Sequence, residues 1–330
     1  MDLSFLTDTA IFKILVDIMP TGIRFHPYYI LPFIGMGFLI YMLKRKSGKA
    51  EGSFWGWLFP KEYYKHRSTL LDTQLFLFGR ALVLFKVINR LAIATFMAAI
   101  IMMIFKDSPA EKPEQLTPIN IALMTLMLTL ISDFCVYWVH RIHHEKNFLW
   151  PFHAVHHSAE IMTPMTVYRK HPLYDLFSSI FSGILIGVAQ GLFIAVFFGT
   201  VSIAAIAGVN GFYFLFNFLG SNFRHSHIWI SYGKTIEHIL ISPAQHQIHH
   251  SLKPEHHNKN FGEIFAFWDW MFGTLFIPDK EEIIEYGIAR PDGSGQRIKQ
   301  PHNNFKEALI VPFKESARAL KRSKNKRSKP

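Results

Sequence analysis

Cysteine is almost absent from this 330-residue chain. Cys135 stands alone, which excludes an internal disulfide framework and any zinc or iron–sulfur site built on several thiolates. Charge is also scarce. Only 18% of the residues are Asp, Glu, Lys or Arg, against 50% hydrophobic residues and 32 phenylalanines, too apolar a mixture for disorder or for an ordinary soluble domain. No G-x-G-x-x-G follows a strand pattern, so no flavin or nicotinamide domain is expected. No motif recurs at a fixed period. The N-terminus has neither a basic n-region nor a small-residue cleavage site, so no signal peptide is expected. Neither His144-Glu145 nor Glu255 near His250 has the H-E-x-x-H arrangement of a zinc hydrolase.

What charge there is sits at one end. The net charge is +11, but residues 314–330 carry eight Lys or Arg and one Glu. A basic tail beside an apolar body points to anionic lipid headgroups rather than to nucleic acid, for which no motif is present. That tail is a low-complexity stretch, expected to lack regular structure. A bilayer core takes roughly 20 apolar residues as helix. Pro27–Leu43 is uncharged and ends at Lys44, Arg45, Lys46 and Lys49, and Ile119–Val139 holds only Asp133. Leu176–Phe223 is free of charge over 48 residues, enough for two crossings around Gly199, Thr200 and Ser202. Leu91–Phe105 is shorter and needs Arg90 and Lys86 to reach full length. The fold expected is all-α: an integral-membrane helical bundle of four to five spans. The basic cluster at 44–49 and the basic tail place those ends inside by the positive-inside rule, and the 106–118 loop, slightly acidic, outside.

Histidine is the one polar residue in excess. Of 18 in the chain, 15 fall between His140 and His257. Three clusters have metal-ligand spacing: His140-Arg-Ile-His143-His144, His153-Ala-Val-His156-His157 and His246-Gln-Ile-His249-His250. On a helix, positions three and four apart share a face, so each H-x-x-H-H is expected to present a stripe of imidazoles able to converge on a metal. All three lie on the side of the membrane assigned to the cytoplasm, in a helical cap. The histidines outnumber the ligands of one ion, so two ions are the natural count. Imidazole suits iron, zinc, copper and nickel alike, and zinc outcompetes ferrous iron at such ligands during purification. Two iron ions with open positions would serve dioxygen chemistry. A metal transporter and a zinc hydrolase are the competing readings; the first predicts ligands along a path through the spans, the second a Glu base beside a histidine pair.

The run Tyr137-Trp-Val-His140-Arg, the H-x-x-x-H, the two H-x-x-H-H clusters and Trp268-Asp-Trp-Met-Phe-Gly-Thr274 together resemble the fatty acid hydroxylase/sterol desaturase superfamily over about residues 120–277. The resemblance implies a non-haem di-iron membrane enzyme that hydroxylates or desaturates a lipid with dioxygen and two external electrons. Carried over residue by residue, the ligand motifs fall on His140, His144, His153, His156, His157, His246, His249 and His250. His171, before Pro172, and His225, after the long apolar stretch, match two further ligand positions, with His227 as a stand-in for His225. His144-Glu145, Leu149-Trp150, His157-Ser158-Ala-Glu160 and Asn258-Lys-Asn260-Phe-Gly262 look closest to the alkylglycerol monooxygenase branch, whose electron source is a reduced pterin. His171-Pro172-Leu173 looks more like the sterol-oxidising and general bacterial branches. The substrate therefore stays open among fatty acyl, sterol and ether lipids, and the electron donor between a cytochrome- or ferredoxin-type protein and a pterin.

Three carboxylates are placed to orient ligands: Asp133 within a span, Glu145 beside His144 and Asp269 between two tryptophans. Each also has a plainer reading, as an interfacial residue, a helix-surface ion and a turn cap respectively. His143 is expected to be structural or outside the ligand set. The chain is expected to divide into a membrane region at 1–118, a catalytic domain at 119–277 and a cytoplasmic segment with the basic tail at 278–330. A bacterial inner membrane is favoured over the endoplasmic reticulum, because the loops are short and no retrieval signal is present.

Overall fold

The computed structural model describes residues 24–327 apart from 86, 88, 106–116, 198–210 and 291. Among the described residues there is no strand, only three isolated β-bridges, and the chain is otherwise helix and loop. The helices are α1 (Pro27–Lys46), α2 (Phe54–Leu58), α3 (Lys61–Tyr64), α4 (Arg67–Leu84), α5 (Arg90–Ile104) and α6 (Pro118–Glu145). They continue as α7 (Trp150–His157), α8 (Pro172–Phe197), α9 (Gly211–Arg224), α10 (Pro243–His249), α11 (Phe267–Met271) and α12 (Phe305–Arg327).

Among the described residues two helices are long and apolar enough to cross a membrane, over Ala122–Glu145 and Pro172–Val196. These are clear candidates for two of the four to five spans expected from sequence. α1, expected as a span, has Pro32 inside it and three cations in its last turn, and is not one of the two. α5 is apolar but has only 15 residues. The turn expected near Gly199, and the acidic loop at 106–116, lie outside the described residues. Large apolar side chains stand exposed on these helices, among them Leu91, Phe96 and Met103 on α5 and Ile180, Ile184 and Val196 on α8. Water would penalise such a belt; lipid would not.

α5 packs along α8 at close range because α8 carries glycine at every fourth position on the facing side. A Cβ at Gly187 would collide with the Ala94 carbonyl and lie 2.7 Å from Met97 Cβ, and one at Gly191 would lie 2.6 Å from Ile101 Cβ. Small residues four apart let helix backbones approach where the hydrophobic effect gives no help. Gly187→Val is therefore expected to lower stability by about 1–3 kcal/mol or more. Gly79→Ala on α4, whose added Cβ meets nothing within 4 Å, should leave stability unchanged or slightly raised. Thermal unfolding in detergent checks both; equal midpoints for Gly187→Val and the parent chain would contradict this packing.

Proline starts the helices that matter for the site. Thr117 caps α6 by accepting from the Asn120 amide, with Pro118 at its first position. At 28 residues α6 is about 42 Å long, enough to cross a bilayer core and still project a further turn or two. That last part carries His140, His143 and His144. α10 begins in a capping box, where Ser242 accepts from the Gln245 amide and Gln245 returns a bond to the Ser242 amide. A small core of Leu71, Leu75, Val155 and Ala308 joins α4, α7 and α12, and so fixes α7 from its apolar side. The basic tail departs from expectation: α12 is regular helix to Arg327, and its buried positions at Ala308, Pro312 and Ser316 explain why.

Candidate metal centre

α6 ends, the chain turns over residues 146–149, and α7 folds back so that its histidines face those of α6. α10 closes the site from the opposite side, with all of Pro243–His249 buried. Nine imidazoles converge in two groups. His140, His144, His153, His157 and His249 form one, and His156, His225, His246 and His250 the other, with the ligand atoms of each group within 4.8 Å of one another. The H-x-x-H-H triplets do not each serve one position, as a single stripe would require. In α7 the outer pair, His153 and His157, joins the first group while His156 joins the second. In the α10 motif the outer pair, His246 and His250, joins the second group while His249 crosses to the first. His157 and His250 stack at 4.4 Å between the two groups.

The nitrogens are spaced as ligands are. His157 Nε2 lies 3.1 Å from His144 Nε2, 3.1 Å from His249 Nε2 and 3.2 Å from His153 Nε2. One ring nitrogen offers a single proton or a single lone pair, so it cannot hydrogen-bond three others. Ligands about 2.0–2.1 Å from one ion stand about 3.0 Å apart in an octahedron and about 3.4 Å apart in a tetrahedron. In the second group, His225 Nε2 lies 3.3 Å from His156 Nε2 and 3.0 Å from His246 Nε2. The separations match the edges of such polyhedra, and each group of neutral imidazoles fits a metal cation.

Backbone carbonyls orient two of the rings. His140 Nδ1 donates to Phe261 O at 2.8 Å and His249 Nδ1 donates to Lys259 O at 2.7 Å. A carbonyl only accepts, so Nδ1 carries the proton in each and Nε2 is left with its lone pair facing the group. These acceptors sit on a loop bent by Asn258 (φ 58°) and Asn260 (φ 55°), a left-handed conformation that asparagine tolerates. Asn260 fixes the bend, donating to Gln245 O and Phe276 O and accepting from the Phe276 amide.

Asp269 accepts from the Phe261 and Gly262 amides and the Thr274 hydroxyl, and so positions the carbonyl that takes His140. Burial raises its carboxyl to about 6. Asp133 accepts from the Ile264 and Phe265 amides, farther along the same loop. Neither aspartate touches a histidine of the two groups. Glu145 turns outward to Arg141 at 2.6 Å and takes no part. Trp150 closes over His144 and His157 at 4.9 and 5.4 Å, and Tyr174 stacks on His153 at 4.8 Å.

His171 does not join either group. Its Nδ1 accepts from the Leu173 amide and its Nε2 donates to Leu309 O, which places it against α12 and corrects the assignment made from the sequence. His225 enters the second group, whereas His227 bonds to Trp57 O. His143 bonds to Val139 O one turn back and packs on Tyr174 and Phe177. His257 bonds to Leu252 O, and His256 lies 3.8 Å from Glu282. The orienting carbonyls of Lys259 and Phe261 have no signature in side-chain identity. The Asn258-Lys-Asn260 run is the one sequence signal for the bend that presents them.

Burial holds His249 down to about 4, and burial followed by the neighbouring imidazoles pushes His153, His156, His157 and His246 well below the usual value. The sign follows. An unfolded histidine takes up a proton near pH 6.5 and these folded ones do not, so the unfolded state gains protons first. Metal-stripped protein is expected to lose stability as pH falls from about 6.5 towards 4, with no loss from these groups above about 7. Denaturant midpoints at pH 7.5, 6 and 5 check this, and a flat profile would contradict it.

A model of the fatty acid hydroxylase family matches residues 125–274. The chain is 32% identical over 162 residues to alkylglycerol monooxygenase of Danio rerio, covering 49% of this chain and 32% of that protein. It is 26% identical over 197 residues to ornithine lipid hydroxylase OlsE of Rhizobium tropici, covering 60% and 52%. With Delta(7)-sterol 5(6)-desaturase ERG3A of Gibberella zeae it shares 27% over 154 residues, covering 47% and 38%. The chain spans about a third of the length of the alkylglycerol monooxygenases it matches. No solved structure matches it.

Proposed function

We propose, from the match of residues 125–274 to the fatty acid hydroxylase family, that the chain is a membrane-bound, non-haem di-iron oxygenase that hydroxylates a lipid. The observation that carries this reading is the pair of interlocked histidine groups, nine imidazoles with ligand-like spacing and no carboxylate among them. A hydrolytic zinc site wants a carboxylate base at the metal, and neither group contains one. A transporter wants ligands strung along its spans; here they gather where α6, α7 and α10 meet.

Two iron ions in these groups would supply the activation of dioxygen with two electrons from an outside donor, a cytochrome- or ferredoxin-type protein or a reduced pterin. One oxygen atom would end in the lipid C–O bond, and the other would leave as water with two protons. The chain's own part is to hold nine neutral lone pairs in place, with Phe261 O and Lys259 O fixing two tautomers. Trp150, Phe261 and Tyr174 keep water from the rings. The substrate, a fatty acyl, ether or sterol lipid, would enter sideways from the membrane, with the cap on the cytoplasmic face of a bacterial inner membrane and α1, α5 and α9 completing a bundle of four to five spans. Desaturation on the same site is the second reading, favoured by the sterol desaturase likeness.

Lipid mass spectrometry of cells expressing the chain, with and without oxygen, tests the proposal. A lipid gaining one oxygen atom, absent in His156→Ala, supports hydroxylation, and a lipid losing two hydrogens supports desaturation. Metal-loaded protein that leaves every lipid unchanged with each class of donor would refute both.

A further inference from the structure

α12 has three faces rather than two. Ala308, Pro312 and Ser316 are buried against the rest of the chain. A second line runs through Ile310, Phe313, Ala317 and Leu320, where the three large side chains are 41%, 53% and 46% exposed. Steps of three, four and three residues keep these four within a stripe about 80° wide. Lys314, Arg318 and Lys321 flank the stripe on one side, and Lys306 and Lys324 stand at its two ends, all five exposed. An exposed apolar stripe bordered by cations has no use for bulk water, and its charge fits a negatively charged, partly apolar surface.

The helix is tied at a defined level. Ser316 Oγ donates to Phe148 O at 2.7 Å, three residues past the end of the candidate crossing Ala122–Glu145. Leu309 O accepts from His171 Nε2 at 3.1 Å, one residue before the other candidate crossing begins at Pro172. These anchors, seven residues apart, are about 10 Å apart along the axis. They hold α12 where both crossings leave the bilayer.

We propose that α12 lies in the membrane–water interface and binds an anionic phospholipid surface. Its Ile310–Leu320 stripe sits at the headgroup–acyl boundary, and Lys314, Arg318 and Lys321 face lipid phosphates. This rests on the reading that α6 and α8 cross the membrane. The helix also touches the ligand-bearing α7, through Phe313 on Phe152 at 5.2 Å, so the same lipid contact braces the histidine cap.

The test uses the full chain in vesicles. Cys135 is the single cysteine, so Cys135→Ala gives a thiol-free background. A polarity-sensitive fluorophore is placed at Ala317→Cys in one sample and at Ile184→Cys, on the exposed apolar side of α8, in another. Vesicles are pure phosphatidylcholine or contain about one-third phosphatidylglycerol, with brominated acyl chains as the membrane quencher and acrylamide as the aqueous one. The proposal expects the 317 probe to be several-fold better protected from acrylamide, and quenched by brominated lipid, when phosphatidylglycerol is present. Lys314→Gln/Arg318→Gln/Lys321→Gln should lose that gain, as should high salt, while retaining the parent's metal content. A 317 probe equally open to acrylamide in both vesicles, with the 184 probe quenched by lipid, overturns the proposal alone. Protection that is equal in both lipids and indifferent to the triple substitution overturns the anionic preference. If the 184 probe also stays in water, the membrane reading itself fails.

Discussion

Replacing His157 with alanine is expected to empty both metal positions, not one. Its Nε2 is the shared neighbour of His144, His153 and His249, and its ring stacks on His250 of the other group. Removing it takes a ligand from the first group and a wall from the second. An outer partner of a metal ligand is worth about 10- to 100-fold in affinity or activity, and a ligand that also packs on the neighbouring group should cost more than that. On the di-iron reading proposed above, metal analysis should fall from two iron ions per chain towards none, and lipid oxidation below detection. His238→Ala makes the control, since His238 lies outside both groups, with its Nδ1 donating to Lys234 O. Full iron in His157→Ala would refute the assignment of the first group.

The second large effect is on stability. Arg169 is 1% exposed and Asp72 is 0% exposed, and they pair at 2.9 Å. The guanidinium also donates to Val155 O and Ser158 Oγ, on either side of His156 and His157, while Thr166 donates its hydroxyl to the same aspartate. Arg169→Met would leave a carboxylate buried without its partner, a loss of about 3–5 kcal/mol. Arg169→Met/Asp72→Leu removes both charges and should recover much of that loss. Denaturant unfolding measures the pair, and a double variant no better than the single one would show that the carbonyl contacts of Arg169 outweigh the charge. The single variant should also hold metal more weakly, because the end of α7 loses its tether. A fragment starting at residue 119 would lack α4 altogether, and with it Asp72, Leu71 and Leu75, against which Arg169 and Val155 pack, so the histidine segment depends on α4.

The all-helical class could be read from the long apolar runs, and the convergence of His140, His144, His153, His156, His157, His246, His249 and His250 from their spacing of three and four. The exchange of ligands between groups could not, because it depends on the angle at which α7 and α10 meet across α6. His171 shows the limit of a motif: its spacing fits a ligand, yet Leu309 O, 138 residues away, takes its Nε2. Asp133 and Asp269 are legible in the sequence as carboxylates placed to orient ligands, but what they hold is mainly backbone amides of the 261–265 loop, which no side-chain pattern reveals. α1 and α5 show why spans are hard to count from sequence: three cations in the last turn of the one and a length of only 15 residues in the other leave each short of a clear crossing without removing its apolar character.

The interleaving of the two H-x-x-H-H motifs also bears on how this chain can change over time. In each motif successive histidines belong to different groups, so one inserted or deleted residue would swing every later histidine by about 100°. The damage would reach both groups at once, whichever motif carried it. The stretches 153–157 and 246–250 are therefore fixed in length, and the two groups stand or fall together.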